Sequence, residues 1–436
     1  MKETTVFEVM NPHGAGIDVG SEKVFVSIDG STVVNFETFT ADYKRCVNYL
    51  KENGISQVAM EATGVYWIAF HEMLEQAGIQ VCLVNPKEVK QVKGRKTDVK
   101  DCQWIQKLFS AGLLRQSYIP AGKFKELRML NREREDIIEM GSAYINKMQK
   151  ALELMNIKLT GVISQINGVS GIKMISAILN GERDPHKLLA LCDKRIIKAK
   201  ADRVLKALKG NYTDTYLFLL KASFEMWKYH EQHVHIIDKK LQELLEALTK
   251  DLKEVHCDMA PKLIRHHKPQ IKDLHQKLLT LYGTNVSTVS GLTDYTLLKL
   301  VGETGNDLSR FPTVKHFVSW CQLSPRSSQS GKQKRPIRVK NKSKAGQIFR
   351  EAAQSLIQSK NIAIGMFMRR IRSRKGPAAA IKAGARKLAC AYYNTITKGA
   401  NYVEEGVKAY ELKFKAQEIR LLHKLAAKHK IQLIAS

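Results

Sequence analysis

Two strand-like segments joined by an Asp-Gly pair, followed by apolar runs that alternate between strand length and helix length, constrain what the first 120 residues can become. Residues 14–29 and 31–40 carry the strand pattern around Asp29-Gly30, a dipeptide suited to a tight hairpin turn. Helical periodicity follows at 42–53 and 64–77, and Thr97, a good N-cap residue type, opens a further helix over 97–110. Between them, 57–60 and 80–84 read as buried strands, the second stopped by Asn85-Pro86. A hairpin leading into alternating strands and helices predicts a sheet with helices packed on it, an α/β domain assigned here to residues 12–122.

The remainder reads as helix. A chain of 436 residues exceeds what one core supports, so further domains are expected. Leu130, Ile137, Tyr144 and Ala151 recur every seven residues, with Leu127, Met148 and Met155 on the neighbouring line, which Arg134 and Gly141 interrupt. A second heptad stretch holds Trp227, Val234, Leu241 and Leu248, joined by Ile237 and Leu244. Such seams predict coiled-coil or antiparallel helical packing, and their apolar residues are expected to join subunits. Residues 123–275 therefore form a helical, coiled-coil region; its part from 171 to 223 is Lys-rich and carries no assignable motif. Residues 276–405 form a mainly helical basic domain, and 406–436 a charged helical tail. The domain 276–405 opens with Val289-Ser290-Gly291-Leu292, a glycine turn before a helix that can offer backbone N–H groups to a phosphate.

Charge is unevenly placed. The chain carries 71 Lys+Arg against 42 Asp+Glu, a formal +29, yet residues 1–80 hold 11 acids and 5 bases. Residues 308–403 hold 21 bases and one acid, Glu351. That excess is the footprint of a polyanion-binding surface, and nucleic acid is favoured over a membrane because no basic amphipathic helix stands out at either end. The 44% apolar fraction excludes wholesale disorder, and no apolar run reaches the ~20 residues that span a bilayer. Seven scattered cysteines without a C-x-x-C pair argue against a disulfide framework or a zinc ribbon, and for reduced thiols in the cytosol.

Two constellations carry chemistry. Asp18 sits inside a strand pattern, Glu61 ends the next buried strand, and Asp98 and Asp101 stand three residues apart on a helix, facing the same way. Singly, each acid reads more simply as a solvated or capping residue. As a set, they can converge on hard cations, and two Mg²⁺ ions ~4 Å apart can clamp a phosphodiester for in-line displacement. The second constellation is a serine in a basic loop. Residues 323–346 combine turn signals with eight Lys/Arg residues and no acid. Ser330 precedes Gly331, which permits close backbone approach, and Arg326, Lys332 and Arg335 can offset charge on a transferring phosphoryl group. Residue types alone favour a plain phosphate-binding loop, in which Ser327, Ser328 and Ser330 are incidental.

The phrases GIDVGSEKV, MEATGVYW, NPKEVKQVKGRKTDVKDC and QLSPRSSQSGK followed by NKSKAG resemble, in that order, the DEDD-type insertion-sequence transposases. These are the bridge-RNA-guided serine recombinases related to the pilin-gene invertases. The likeness is strongest over 14–120 and 285–400. Residues 168–275 look like the longer members, which carry extra helices between the two domains. One departure stands in the glycine turn, where Ser290 and Thr293 replace the proline and second glycine common there.

The resemblance implies a RuvC-like, RNase H-type N-terminal domain in which Asp18, Glu61, Asp98 and Asp101 bind Mg²⁺ or Mn²⁺. Ser330 would attack DNA and form a phosphoserine link. Arg326, Lys332, Lys334, Arg335, Arg338, Lys340, Lys344, Arg369, Arg370, Arg372 and Arg374 are the candidate nucleic-acid contacts. The partners implied are donor and target DNA, a structured noncoding guide RNA, and further copies of the chain in a tetramer whose active sites combine acids and serine from different subunits. Such a protein is expected in the bacterial cytoplasm, on the nucleoid, with no membrane partner. Two other classes compete. A RuvC-like nuclease or junction resolvase uses the same acids without a covalent intermediate, and a non-catalytic nucleic-acid scaffold explains the charge but not the ordered acids.

Overall fold

The computed structural model describes residues 9–89, 98–257, 259–325, 327–330, 333–336, 343–359 and 362–429. The chain divides into two compact units, Met1–Ile119 and Pro120–Ser436.

The first unit is built on β1 (Gly14–Val19), β2 (Lys23–Ser27), β3 (Val34–Glu37), α1 (Thr40–Glu52), β4 (Gln57–Glu61), α2 (Trp67–Gln76), β5 (Gln80–Val84), a helical turn α3 (Pro86–Val89) and α4 (Asp98–Ser110). The sheet runs β3-β2-β1-β4-β5, antiparallel between β1, β2 and β3 and parallel between β1, β4 and β5. The segment 14–29, read as one strand, is two. The chain reverses after Val19, where the Gly20 N–H donates to the Lys23 carbonyl at 2.9 Å. Asp29-Gly30 does lie in a reversal, the one joining β2 to β3. There the Asp29 carboxylate accepts from the Ser31 and Thr32 N–H groups, which holds its pKa well below the ordinary range, and Gly30 takes φ +74°.

Side-chain alternation divides the sheet into two faces. Ala15, Ile17 and Val19 of β1 and Val58 and Met60 of β4 join Tyr43, Leu50, Phe70 and Leu74 of α1 and α2 in one core. On the opposite face, Ala59 and Val84 pack with Ile105 and Phe109 of α4. Gly14, Gly16, Asp18 and Glu61 belong to this second face.

The second unit opens with α5 (Lys123–Leu154), a 3₁₀ turn (Leu159–Gly161), α6 (Val169–Leu179), α7 (Pro185–Ala190), α8 (Lys194–Ala207) and α9 (Asp214–Thr249). It continues through α10 (Leu274–Tyr282), a 3₁₀ turn (Val286–Thr288), α11 (Asp294–Thr304), α12 (Val314–Trp320), β6 (Ser327–Ser330) and β7 (Gln333–Pro336). The helices α13 (Lys344–Leu356), α14 (Ala363–Lys375), α15 (Pro377–Lys398) and α16 (Ala400–His429) complete it.

The two heptad helices, α5 and α9, pack against each other within one chain. They run antiparallel: Lys123 reaches the Ala247 carbonyl, Arg134 meets Asp238, and Tyr144 lies against His230. This corrects the expectation that the seams serve to join subunits, because Ile137 and Leu241 are already buried by the partner helix. It also inverts the reading of the interrupted line. Leu127, Arg134, Gly141, Met148 and Met155 are all buried, and Arg134 is there because Asp238 of α9 neutralises it.

Candidate active site

Gly14 and Gly16 set the geometry of the first constellation. A β-carbon on Gly14 would lie 2.8 Å from the Phe109 ring, and one on Gly16 would collide with the Cys102 carbonyl and the Gln106 backbone. The helix α4 therefore lies directly on β1 and runs antiparallel to it. Two strand residues advance about 6.6 Å, which equals four to five helical residues at about 1.5 Å each. Extending the series Gly14–Phe109 and Gly16–Cys102/Gln106 by one step puts Asp18 opposite the first turn of α4, where Asp98 and Asp101 stand. The Gln106 amide fixes this position by donating to the carbonyls of Gly14 (3.3 Å) and Ile28 (3.2 Å).

Glu61 arrives from the neighbouring strand. The parallel register pairs Gly16 with Ala59 and Ile17 with Met60, so the next step pairs Asp18 with Glu61 at the carboxyl ends of β1 and β4. Glu61 is buried and accepts a hydrogen bond from the Thr63 hydroxyl at 3.2 Å. Burial pushes the Cys102 thiol up to about 12, and the charges of Asp18 and Asp101 add to the push.

The donors match a hard divalent cation in kind, since all four are carboxylates. Among the described residues, however, no three carboxylate, His or Cys side chains come together closely enough to hold one ion. The Asp98 side chain lies outside the described residues.

Ser330 belongs to the second unit. The segment read as a basic loop forms a hairpin between β6 and β7, in which Ser330 pairs with Gln333 and Ser328 with Arg335. Gly331 and Lys332, between the strands, lie outside the described residues, as do Arg326, Arg338, Lys340 and the side chains of Ser330, Lys334 and Arg335. The base of the hairpin is well defined. Gln322, in the left-handed region at φ +56°, accepts the Ser343 N–H on its side-chain oxygen at 3.1 Å and an Arg350 N–H on its carbonyl at 3.2 Å. Gly346 lies so close to the Cys321 carbonyl that a β-carbon there would overlap it. Ser343 caps α13, accepting from the Gly346 N–H at 3.4 Å. Chain entering and leaving the serine hairpin is thus tied at one point.

Two family models match the chain. Residues 15–157 match a DEDD-type transposase model, and residues 283–366 match the model of the IS116/IS110/IS902 transposase family. Together they cover just over half of the sequence. The chain belongs to the IS110 family of transposases. No curated protein matches it. The mixed sheet with its 3-2-1-4-5 order, in a mostly helical protein, fits an RNase H-like N-terminal domain of such a transposase. Among the described residues no helix of the transposase is long and apolar enough to cross a membrane.

The transposase uses its candidate DNA-contacting bases unequally. Arg372 and Arg374 are exposed at the end of α14. Arg369, half-buried, donates to the Ser359 carbonyl, and the Arg370 guanidinium stacks 4.4 Å above the Phe414 ring of α16. Lys344 lies 3.2 Å from Glu135 on α5, which also holds Lys299 at 2.8 Å. Burial raises the Glu135 pKa, but these two ammonium groups outweigh it and hold the carboxyl below its usual range. Glu351, the lone acid of the basic stretch, pairs with Lys299 at 3.1 Å.

The glycine turn at 289–293 is anchored from behind by Lys262, which donates to the Val289 (2.7 Å) and Leu292 (3.3 Å) carbonyls. Gly291 has φ +84° and abuts Leu356. Thr293, in place of the second glycine, is the N-cap of α11.

Reasoning from residue types overlooks Gly14, Gly16 and Ala59. Their signal is present, since glycines two apart inside a strand mark the close approach of another backbone. Glu135 carries no comparable signal, because its partners lie more than 160 residues away.

Proposed function

We propose that this IS110-family transposase cuts and rejoins DNA through a covalent phosphoserine intermediate formed by Ser330, assisted by a carboxylate site of Asp18, Glu61, Asp98 and Asp101. The observation that supports the reading is the parallel register of Gly16 with Ala59 and Ile17 with Met60, which leads to Asp18 and Glu61 at the carboxyl ends of adjacent strands, with α4 packed on Gly14 and Gly16 of the same face. Brought together, the four carboxylates would repel one another, and a divalent cation such as Mg²⁺ or Mn²⁺ would offset that repulsion. Held by the four acids, it would supply Lewis-acid polarisation of the scissile phosphate.

The chain's own groups do the rest. Ser330 Oγ forms a bond to phosphorus as the bond from phosphorus to the leaving deoxyribose oxygen breaks. The serine proton passes to solvent, and the departing oxygen takes one up. Arg326, Lys332 and Arg335 offset the charge on the five-coordinate phosphorus. Rejoining reverses the step with a hydroxyl from a different DNA end. A structured noncoding RNA of the element pairs with donor and target DNA and selects the sites. The carboxylates and the serine acting on one phosphodiester come from different protomers of a tetramer. Lys334, Arg338, Lys340, Arg372 and Arg374 belong to the surface that holds the nucleic acids, while Lys344, Arg369 and Arg370, engaged by Glu135, the Ser359 carbonyl and the Phe414 ring, support the fold that carries it.

Recombination between the ends of the element and a target, measured with purified protein and its co-purified RNA, tests this proposal. Asp18→Ala, Glu61→Ala, Asp98→Ala and Asp101→Ala are each expected to abolish recombination while the protein stays folded, and chelation of divalent ions to do the same. An Asp101→Ala protein that recombines at the wild-type rate overturns the carboxylate assignment. Sequencing the bound RNA tests the guide, which is expected to derive from the element's own noncoding flank.

A further inference from the structure

The helical module between α5 and α9 is strongly basic, and neither family match reaches most of it. Residues 158–213 hold 11 Lys/Arg residues and 4 acids. Three of those acids are occupied locally. Glu182 accepts the N–H groups of Arg183 and Asp184, Asp184 caps α7 through the His186 N–H, and Asp193 caps α8 through the Arg195 N–H. Only some of the bases are similarly used. Lys200 donates to the Val162 carbonyl, Arg183 stacks on Tyr212, and Lys158 pairs with Glu153. Lys173, Lys194, Lys198, Arg203, Lys206 and Lys209 are all exposed and make no ion pair among the described residues. Five of these six lie on α8 or just beyond its end.

The scaffold beneath them is firm. Val204, Ala207 and Leu208 pack into a core with Met148, Met174, Ile178 and Phe224, which joins α8 to α5, α6 and α9. Burying those residues turns the bases of α8 outward. Its exposed positions carry no aromatic ring on which an unstacked base would stack and no side-chain amide; of its two arginines Arg195 is engaged by Asp193, which leaves Arg203 as the guanidinium fork of the face, set among lysines that act as point charges. What remains is a row of ammonium and guanidinium groups with one exposed acid, Asp202, carried on two helical stretches that meet in a kink at Lys200, and this density of positive charge suits phosphates.

We infer that α8 is a sequence-independent binding surface for the backbone of duplex DNA, separate from the basic stretch 308–403. The inference needs DNA as the substrate, which membership of a transposase family supplies, and does not depend on Ser330 or the carboxylates. It gives the module the task of holding flanking duplex.

The test uses the full-length protein and a duplex DNA of sequence unrelated to the element, with affinity measured across a salt series. Each phosphate that the protein no longer neutralises removes about 0.9 from the log–log salt slope. The variant Lys198→Gln/Arg203→Gln/Lys206→Gln/Lys209→Gln is expected to flatten the slope by about 2–4 while melting like the wild type. Replacing the three lysines by Arg, with Arg203 kept, is expected to preserve the slope. Should the quadruple variant melt early, Lys194→Gln/Lys209→Gln gives the same readout with less change and a slope flatter by about 2. An unchanged slope in a folded variant overturns the inference. So does a variant that loses affinity for duplex RNA of the same length yet keeps the wild-type slope on DNA.

Discussion

Arg134 on α5 and Asp238 on α9 form an ion pair of 2.6 Å in which both side chains are 1% exposed. The pair reaches beyond the two helices. Arg134 also donates to the His267 carbonyl at 3.1 Å and stands 4.9 Å from the Tyr295 ring centroid, and Asp238 accepts the Gln270 N–H at 2.9 Å. One buried pair therefore ties α5, α9, the segment before α10 and α11 together.

Removing one partner leaves the other charge buried and unpaired, which costs about 3–5 kcal/mol. Arg134→Met is expected to destabilise the second unit by that amount in denaturant unfolding. Adding Asp238→Leu is expected to recover a large part of the loss, since an apolar pair of similar volume needs no compensation. A double variant no more stable than Arg134→Met contradicts this account of the interface.

Gly16→Ala is expected to push α4 off β1, because the colliding groups are backbone atoms of Cys102 and Gln106 that no rotamer change can clear. Recombination should be lost together with amide-exchange protection in α4. Gly54→Ala is the control: Gly54 sits in a turn, at φ +68°, where a β-carbon meets open space, so only backbone strain is introduced. Normal protection of α4 in Gly16→Ala would mean that the helix does not lie where Asp18 needs it.

Within α14, exposure separates binding from support. Arg372→Glu/Arg374→Glu is expected to flatten the salt slope of DNA binding by about 2 without a change in melting temperature. Arg369→Glu is expected to lower the melting temperature, because its guanidinium is committed to the Ser359 carbonyl. Equal effects of both on melting would dissolve that distinction.

Lys262 gives a pH dependence of known sign. Burial lowers its pKa to about 8, only partly opposed by Asp294. The unfolded chain then holds more protons than the native one between about pH 8 and the ordinary lysine value near 10.4, so this group makes stability rise with pH across that window. The stability of the wild type minus that of Lys262→Met is expected to increase from pH 8 to pH 10. A flat or falling difference would place the Lys262 ammonium in a more solvated setting than the turn at 289–292 provides.

Much of the first unit is legible in the sequence because short-range physics dominates it. Apolar runs of strand length, the Asp29-Gly30 turn and the helix at 97–110 are local signals, and β4, β5 and α4 fall where they point. The split of 14–29 is harder to see, because Gly20 and Ser21 interrupt a run whose alternation resumes at once. In the second unit, Arg134 and Gly141 look like breaks in a seam, since nothing within a helical turn of Arg134 reveals a carboxylate 104 residues away. The serine hairpin is hidden for the opposite reason. Ser, Gln, Lys and Arg carry little β pattern, and the cross-strand register of 327–336 emerges only when the chain is closed at Gln322 and Ser343. For the site, residue types supply the acids, while the glycines that let α4 approach them become meaningful only with the sheet in place.

The central claim is that Ser330 becomes covalently joined to DNA. Trapping the reaction on a target duplex, digesting protein and DNA, and mapping the adduct by mass spectrometry tests it most directly. The account predicts a nucleotide linked to Ser330, absent from Ser330→Ala protein that still binds DNA and RNA normally. A nucleotide on Ser327 or Ser328, or strand cleavage with no protein adduct, contradicts it, and the latter outcome would make the carboxylate site that of a metal-dependent nuclease.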